Sequence, residues 1–421
     1  MKKVLAVLVY VILFASSLSV SVYADSVIDE FADYLGEHFE RYDTYGIDIT
    51  GFVDKYGWSK EKTLEMIAST YYSHPEFFFV ENALEYATYD NRIVSVRFDY
   101  VIPQSKLEYA RKLFDAEARK VVEGITSDMS DLDKALYVHD YIILNCRYDT
   151  TKTNYSGYNC LVDKLCVCQG YSLAYEYILR YYLGIECTTV YSNSKNHIWN
   201  YVKIGKNWYH VDLTLDDVLD TYKNVGYDKY GCVLHDNFMM SDDLCRKTSD
   251  MHSNWVVAGD CPAATDKSYD NAFWRDLRCK LCYVGGNYFY ASNGGKEKGK
   301  RVVNLCRYDP KTQQSNVIMK LKCAWYSRRN STVTSEYPYG THSYTDIYAS
   351  LEYANGRLYI NTNKSVYSYN LATKKASKLY TLNKGEEMQI FGMVMISDGK
   401  LRVAYKKDLT YAETYLRLVL K

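Results

Sequence analysis

Apolar residues recur at helical spacing through VIDEFADYLGEHFERY, which predicts an opening helix from Ser26 to about Tyr42. A second helix is expected over Lys60–Tyr72, with Ser59 placed to cap it. The pattern then shifts to alternation. FFFVENALEYATYDNRIVSVRFDYV (77–101) predicts two strands about an Asp90-Asn91 turn. Helical period returns over Lys106–Glu123 and again in DLDKALYVHDYIILNC, where Ser130 or Asp131 can act as the cap. CQGYSLAYEYILRYYL (168–183) reads as another helix, stopped by Gly184 in the position that favours a left-handed residue. Three strands follow: ECTTVYS, HIWNYVKI and NWYHVDLT, the last two joined at Gly205-Lys206. Beyond Asp216 the chain is expected to be loop-rich as far as about Ala258.

From about Leu277 the texture is all-β. YVGGNYFYAS (283–292), EYANGRLYIN (352–361) and ISDGKLRVAY (396–405) resemble one another as strand-turn-strand units, in the manner of β-propeller blades or a related repeat. Their spacing is uneven, and three are fewer than usually close a propeller. The expected division is therefore a leader (1–24), an α+β lead-in domain (25–125), a core domain (126–260) and a β-repeat module (275–421).

The leader has its own pattern. Lys2 and Lys3 precede VLAVLVYVILFASSLSV and a small-residue end at Ala24, the three-part plan of a secretory signal peptide cleaved after Ala24. The other reading of this run is an uncleaved anchor. No second long apolar run follows, so a soluble, exported chain with no further membrane span is expected. Charge adds little: 51 Lys and Arg balance 51 Asp and Glu, which gives no reason to expect a nucleic-acid partner. The 46 tyrosines suit half-buried strand positions and grooves facing peptide or carbohydrate. The 12 cysteines are compatible with disulfides outside the cell or with fully reduced thiols, and sequence gives no connectivity.

Candidate chemistry centres on Cys168. At the first turn of a helix its thiolate would meet unpaired backbone N–H groups and the positive end of the helix dipole. Such surroundings, with an imidazolium nearby, bring a thiol from about 8.5 to roughly 3.5–7.5. His197 opens one strand and Asp212 lies in its hairpin partner. With a two-residue turn at Gly205-Lys206, facing residue numbers sum to 411. His197 and Asp212 then become diagonal neighbours on one face, while a one-residue slip would separate them.

The runs VCQGYSLAYEYILRYYLGIEC and NHIWNYVKIGKNWYHVDLTLDD together resemble the transglutaminase-like (papain-like thiol) superfamily, most closely its secreted bacterial members. The resemblance covers about residues 130–255. It implies an α+β core in which a helix carrying the Cys packs on an antiparallel sheet carrying the His and Asp. It further implies Cys168 as nucleophile, His197 as general base and acid, and Asp212 as the orienting carboxylate. Two positions depart from the family pattern: Cys166 stands where relatives carry Gly, and Leu215 where they carry Trp. Cys166 is open to three readings: inert, a disulfide partner of Cys160 or Cys187, or a redox brake on Cys168.

Around the triad, Trp199 and Asn200 are expected to wall the site or meet substrate. Gln169 is expected either to help an oxyanion pocket or to sit in the helix's first turn. Tyr171 and His139 read as packing residues, and His210 as a competitor for Asp212. His235 and His252 have no assigned role. Asp216-Asp217 and Asp242-Asp243 read as solvated loop acids or caps. No metal or cofactor is expected, because Cys166/Cys168 and Cys279/Cys282 lack the second close pair of a zinc thiolate site. The function implied is acyl transfer at peptide or carboxamide bonds, either hydrolysis or protein cross-linking, on an extracellular peptide, protein or cell-wall substrate. The alternative is a non-catalytic binding protein that keeps the fold and recognises glycan or protein through the β module.

Overall fold

The computed structural model describes residues 11–12, 25–217, 219–220, 225–226, 231–258, 261–298, 300–323, 348–385, 388–396, 399–406 and 414–420. Apart from Val11 and Ile12, the leader and its cleavage point lie outside these residues. No helix among the described residues is long and apolar enough to cross a membrane. The chain forms two compact units, each assembled from separate stretches: 1–124, 148–214 and 239–270 in the first, and 125–147, 215–238 and 271–421 in the second. The segment 126–260 contributes to both.

The first unit opens with helices α1 (Asp25–Glu40), α2 (Thr50–Tyr56) and α3 (Lys60–Ser73) beside the hairpin β1 (Val80–Tyr89) and β2 (Arg92–Tyr100). Ser59 caps α3 as expected, its side chain accepting from the Lys62 amide at 3.1 Å. Asp90 and Asn91 both take positive φ, 51° and 59°, which makes the tight turn that the strand twist favours. Phe31, Phe39, Trp58 and Phe98 fill the space between helices and hairpin, with Phe31 5.2 Å from Trp58 and Phe39 5.0 Å from Phe98. Helix α4 (Gln104–Val122) follows.

The same unit holds helix α6 (Cys168–Tyr177) and a four-stranded antiparallel sheet. (Helix α5, Asp131–Asn145, belongs to the second unit.) After Tyr177 the helix widens by one turn over Ile178–Tyr182 and ends at Gly184, whose φ of 65° lets the Ile185 amide reach the Leu179 carbonyl at 2.8 Å. The sheet comprises β3 (Cys187–Ser192), β4 (His197–Ile204), β5 (Asn207–Val211) and the short β6 (Val256–Val257), in the order β6-β3-β4-β5. Pairs run from Ile204/Asn207 to Asn200/Val211, the register with a constant sum of 411. The stretch expected to be loop-rich contains structure that its periodicity does not announce. Ser241 caps a short helix α7 (Asp242–Thr248), and β6 adds to the edge of β3. Both are too brief to show a repeat of their own.

Helix α6 meets the chain before it so closely that one glycine is obligatory. A Cβ on Gly170 would lie 2.4 Å from Cys166 Cβ, 2.7 Å from its Sγ and 2.9 Å from the Ser156 carbonyl oxygen. The last of these is backbone and cannot swing aside.

In the second unit, helix α5 (Asp131–Asn145) starts with a full capping box: the Ser130 hydroxyl accepts from the Asp133 amide at 3.2 Å, and the Asp133 carboxylate accepts from the Ser130 amide at 2.8 Å. Of the three expected strand-turn-strand units, those at 283–292 and 352–361 are present, and the third has its strand at Lys400–Lys406, with 397–398 of its turn outside the described residues. They belong to three antiparallel sheets whose strands follow one another in chain order, spanning Cys282–Cys323, Leu351–Thr381 and Gln389–Val419. Gly285-Gly286 and Asn355-Gly356 make their turns with positive φ. Tyr359, Val366, Ile390, Met393, Leu401 and Val403 form a continuous core between the second and third sheets.

Asp216 corrects the expectation of solvated loop acids at 216–217, because it is fully buried and Asp217 nearly so. His139 is also fully buried. Its Nδ1 lies 2.9 Å from Asp140 Oδ1 and its Nε2 3.1 Å from Asp216 Oδ2. His235 Nε2 approaches the same Asp140 oxygen at 2.9 Å, and the Asn237 amide and side chain donate to Asp216. Burial alone would lower the proton affinity of His139, but Asp140 and Asp216 outweigh it and raise its pKa from 6.5 to about 9.

Two predictions follow from this packing. Gly170→Ala is expected to cost about 1–3 kcal/mol, the usual penalty for overfilling a close-packed interior, read as a lower denaturation midpoint. For the buried His139 group, stability is fully present below the unfolded value of 6.5 and is lost as pH rises through about 9. Asp140, held below its usual 3.8 because the two histidines overcome its burial, contributes above that value and loses its contribution on acidification. Melting temperatures measured across the alkaline window are therefore expected to fall, and His139→Gln to flatten that fall.

Candidate active site

Cys168 is the first residue of α6, after Val167 in extended conformation at the cap position. The preceding loop is built to hold that cap. The Asp149 carboxylate accepts from the amides of Thr151 (2.9 Å), Thr153 (2.9 Å) and Asn154 (3.1 Å), while the Asn154 carbonyl accepts from the Val167 amide at 2.9 Å. First-turn amides have no acceptor within their own helix, so those of Cys168 and Gln169 face the start of α6 as donors. The Cys168 thiol is free and almost buried.

The hairpin supplies the partners. Asp212 lies one residue beyond β5 and keeps its parity, so it projects on the same face as His197. His197 Nε2 and Asp212 Oδ2 are 2.6 Å apart, which leaves the other ring nitrogen for the Cys168 thiol, its hydrogen-bond partner. Burial opposes a charge on His197, but the Asp212 carboxylate, together with Cys168, outweighs it and raises the imidazole pKa from 6.5 to about 10. Asp212 is wholly buried, yet its pKa is held well below the usual carboxylate range because His197 and His252 stabilise the ionised form. The three expected triad members are thus brought together. Geometrically the set can hold a thiolate beside an imidazolium whose far side is fixed by a carboxylate.

The neighbouring side chains are more deeply buried than their sequence reading implied. Trp199 lies over the His197 ring, with centroids 5.6 Å apart and planes 23° from parallel, and donates from Nε1 to His210 Nδ1 at 2.9 Å. Asn200 is on the opposite face and donates to the Ser172 carbonyl at 3.0 Å. Ser172 in turn donates from its hydroxyl towards the Cys168 carbonyl (3.0 Å) and the Ile198 carbonyl (3.2 Å), tying α6 to β4. Gln169 donates from Nε2 to Asn82 Oδ1 at 3.2 Å, and its Oε1 is buried with no hydrogen-bond partner among the described residues. The side chains of Trp199, Asn200 and Gln169 have no exposed surface and pack as walls around His197 and the start of α6. Tyr171 is likewise buried.

His210 shares the Asp212 face but pairs elsewhere: its Nε2 lies 2.9 Å from Asp242 Oδ1, and burial lowers its pKa. Asp242 and Asp243 occupy the first turn of α7, as helix-start acids do. His252 was not assigned from sequence, and it bonds directly to the triad. Its Nε2 is 2.8 Å from Asp212 Oδ2, the oxygen that also holds His197. Its distance of 40 residues from Asp212, in a stretch without periodicity, left no pattern to find it by.

Two sets within single units bring possible metal-ligand atoms within 4.8 Å of one another: His197/Asp212/His252 and His139/Asp140/His235. Contacts of 2.6–2.9 Å already join the imidazoles to the carboxylate in each. Tetrahedral zinc would need its ligand atoms about 3.3 Å apart. The hydrogen-bonded reading is the better fit for both.

Comparison with known proteins bears on this region. Residues 118–213 match the family model of the transglutaminase-like superfamily. A solved structure described as a crystal structure of a TGase is similar at 14% identity and a TM-score of 0.23, over 31% of this chain and 44% of that one. The matched part is thus under half of that relative's length. No curated protein matches the chain. Residues 118–213, which run through α6 to the first residue after Asp212, are a domain of the transglutaminase-like superfamily.

Proposed function

We propose that this chain is an exported thiol enzyme that transfers acyl groups at peptide or carboxamide bonds through Cys168, His197 and Asp212. The observation that carries the reading is the position of His197, with Nε2 on a buried carboxylate at 2.6 Å and the Cys168 thiol as its other partner. The Cys168 thiolate attacks the substrate carbonyl, and the first-turn amides of α6 receive the oxyanion. His197 gives its proton to the departing amine or ammonia as the C–N bond breaks, leaving a thioester on Cys168. His197 then takes a proton from the second nucleophile, which displaces the thiolate and releases the acyl product. Water as that nucleophile makes the protein a peptidase or amidase, and a lysine amine makes it a cross-linker. Asp212 keeps the imidazole in one orientation and stabilises its charge.

Export rests on the leader pattern of residues 1–24. The antiparallel sheets of residues 282–419 supply exposed strands that suit recognition of a peptide, protein or cell-wall partner. The buried walls around His197 favour positioning roles for Trp199, Asn200 and Gln169.

The test is thiol labelling by iodoacetamide across pH. The intact protein is expected to show one thiol that reacts fast below neutral pH, absent in Cys168→Ala and slowed on the order of a hundredfold in His197→Gln. With His197 holding its proton to about pH 10, the thiolate–imidazolium pair should persist well above neutrality before labelling changes character. An ordinary thiol titration in the intact protein would leave a non-catalytic binding protein as the reading. Mass spectrometry of a glutamine peptide, incubated with and without a primary amine, separates cross-linking from hydrolysis.

A further inference from the structure

Asp212 accepts from two imidazoles at one oxygen, and only one of them belongs to the triad. His252 Nε2 stands 2.8 Å from Asp212 Oδ2, against 2.6 Å for His197 Nε2. The other side of the His252 ring is equally constrained. Nδ1 lies 3.1 Å from the Cys245 carbonyl and 3.2 Å from the Thr248 hydroxyl, both on α7. The ring is fully buried, and it packs 4.9 Å from Trp199 and 6.0 Å from His197.

This geometry selects the proton's position. An ionised carboxylate accepts only, so His252 must present Nε2–H to Asp212. Two arrangements meet that condition: a neutral ring to whose Nδ1 the Thr248 hydroxyl turns the proton it otherwise gives the Cys245 carbonyl at 3.0 Å, or an imidazolium that also donates to that carbonyl. A bare Nε2 would face the carboxylate lone pairs across 2.8 Å. Among the described residues, the titratable groups against the ring are His197 and Asp212 from the hairpin, with His210, itself bonded to Asp242, beside them. Arg246 of α7 points over the Trp255 ring, 4.5 Å away.

We propose that His252 is a positioning residue of the thiol site: its Nε2–H anchors the Asp212 oxygen that holds His197, and so sets how firmly His197 keeps its proton. A second donor on Oδ2 draws electron density from that oxygen and fixes the carboxylate in rotation. With it, His197 can release its proton to the leaving group and recover one from the second nucleophile. Without it, more of the Asp212 charge is directed at His197, which then holds its proton more tightly. The consequence for catalysis rests on the triad reading above. The hydrogen-bond arrangement itself does not.

The experiment therefore has two arms, both on the full chain. The first arm measures the pH dependence of Cys168 alkylation by iodoacetamide in the intact protein, His252→Ala and His252→Gln. Loss of the donor in His252→Ala should move the alkaline limb up by about one pH unit, a tenfold tighter hold on the His197 proton. His252→Gln places an amide donor near the same point and should return the limb towards that of the intact protein. Superimposable profiles for all three would overturn the proposal, as would Ala and Gln variants that shift alike. The second arm is nitrogen-15 NMR of histidine-labelled intact protein, which needs no variant to fold. It should show His252 protonated at Nε2 from neutral pH upward, and a neutral ring protonated at Nδ1 alone would sink the idea. If no fast thiol exists in the intact protein, the triad reading fails by itself, and the NMR arm still decides the role of His252.

Discussion

A carboxylate with no exposed surface is the constraint on which this site is built. Removing the Asp212 charge from water costs several kcal/mol unless donors replace the water, and here two imidazoles serve as donors. That requirement reaches outward. His197 must open β4 in a register that puts it on the face of Asp212, and His252 must be delivered from beyond α7. Trp199 must lie flat over one ring while its N–H is satisfied by His210, which is itself held by Asp242. All of these groups except the half-buried Asp242 are buried, and each contact in the chain is made inside the protein.

The hairpin made the pairing of His197 with Asp212 legible in the sequence. Gly205-Lys206 defined a two-residue turn, the turn defined the register, and the period of two put His197 and Asp212 on one side. Helix starts were equally readable at Ser59 and Ser130, because capping is a contact between residues three apart. The strand-turn-strand units of the β module were visible because Gly285-Gly286 and Asn355-Gly356 supply the positive φ that tight hairpins require.

What stayed hidden depends on contacts between residues remote in sequence. His252 reaches Asp212 across 40 residues, and His139 reaches Asp216 across 77. Nothing local marks either pair, since a lone His in a loop or an Asp after a strand has the same appearance whether solvated or buried. Asp216 was for that reason expected in solvent, although it accepts from His139 and Asn237 in the interior. The partners of Asn200 and Gln169 were hidden for the same reason: the carbonyl of Ser172 and the side chain of Asn82 lie 28 and 87 residues away in sequence.

Cys166 shows how packing can restrict chemistry. It has no exposed surface, its carbonyl accepts from the Asp149 amide at 2.9 Å, and its side chain fills the space into which any residue larger than glycine at 170 would project. For Cys166 to act on Cys168 as a redox brake, its sulfur would have to leave that space. A bridge spanning one intervening residue would also close a ring that disulfide geometry disfavours. Such a move would open a cavity against Gly170 at the point where α6 begins, and with it disturb the first-turn amides on which the proposed oxyanion site depends. The Cys166 side chain thus has a packing role, with Gly170 as the residue that makes room for it.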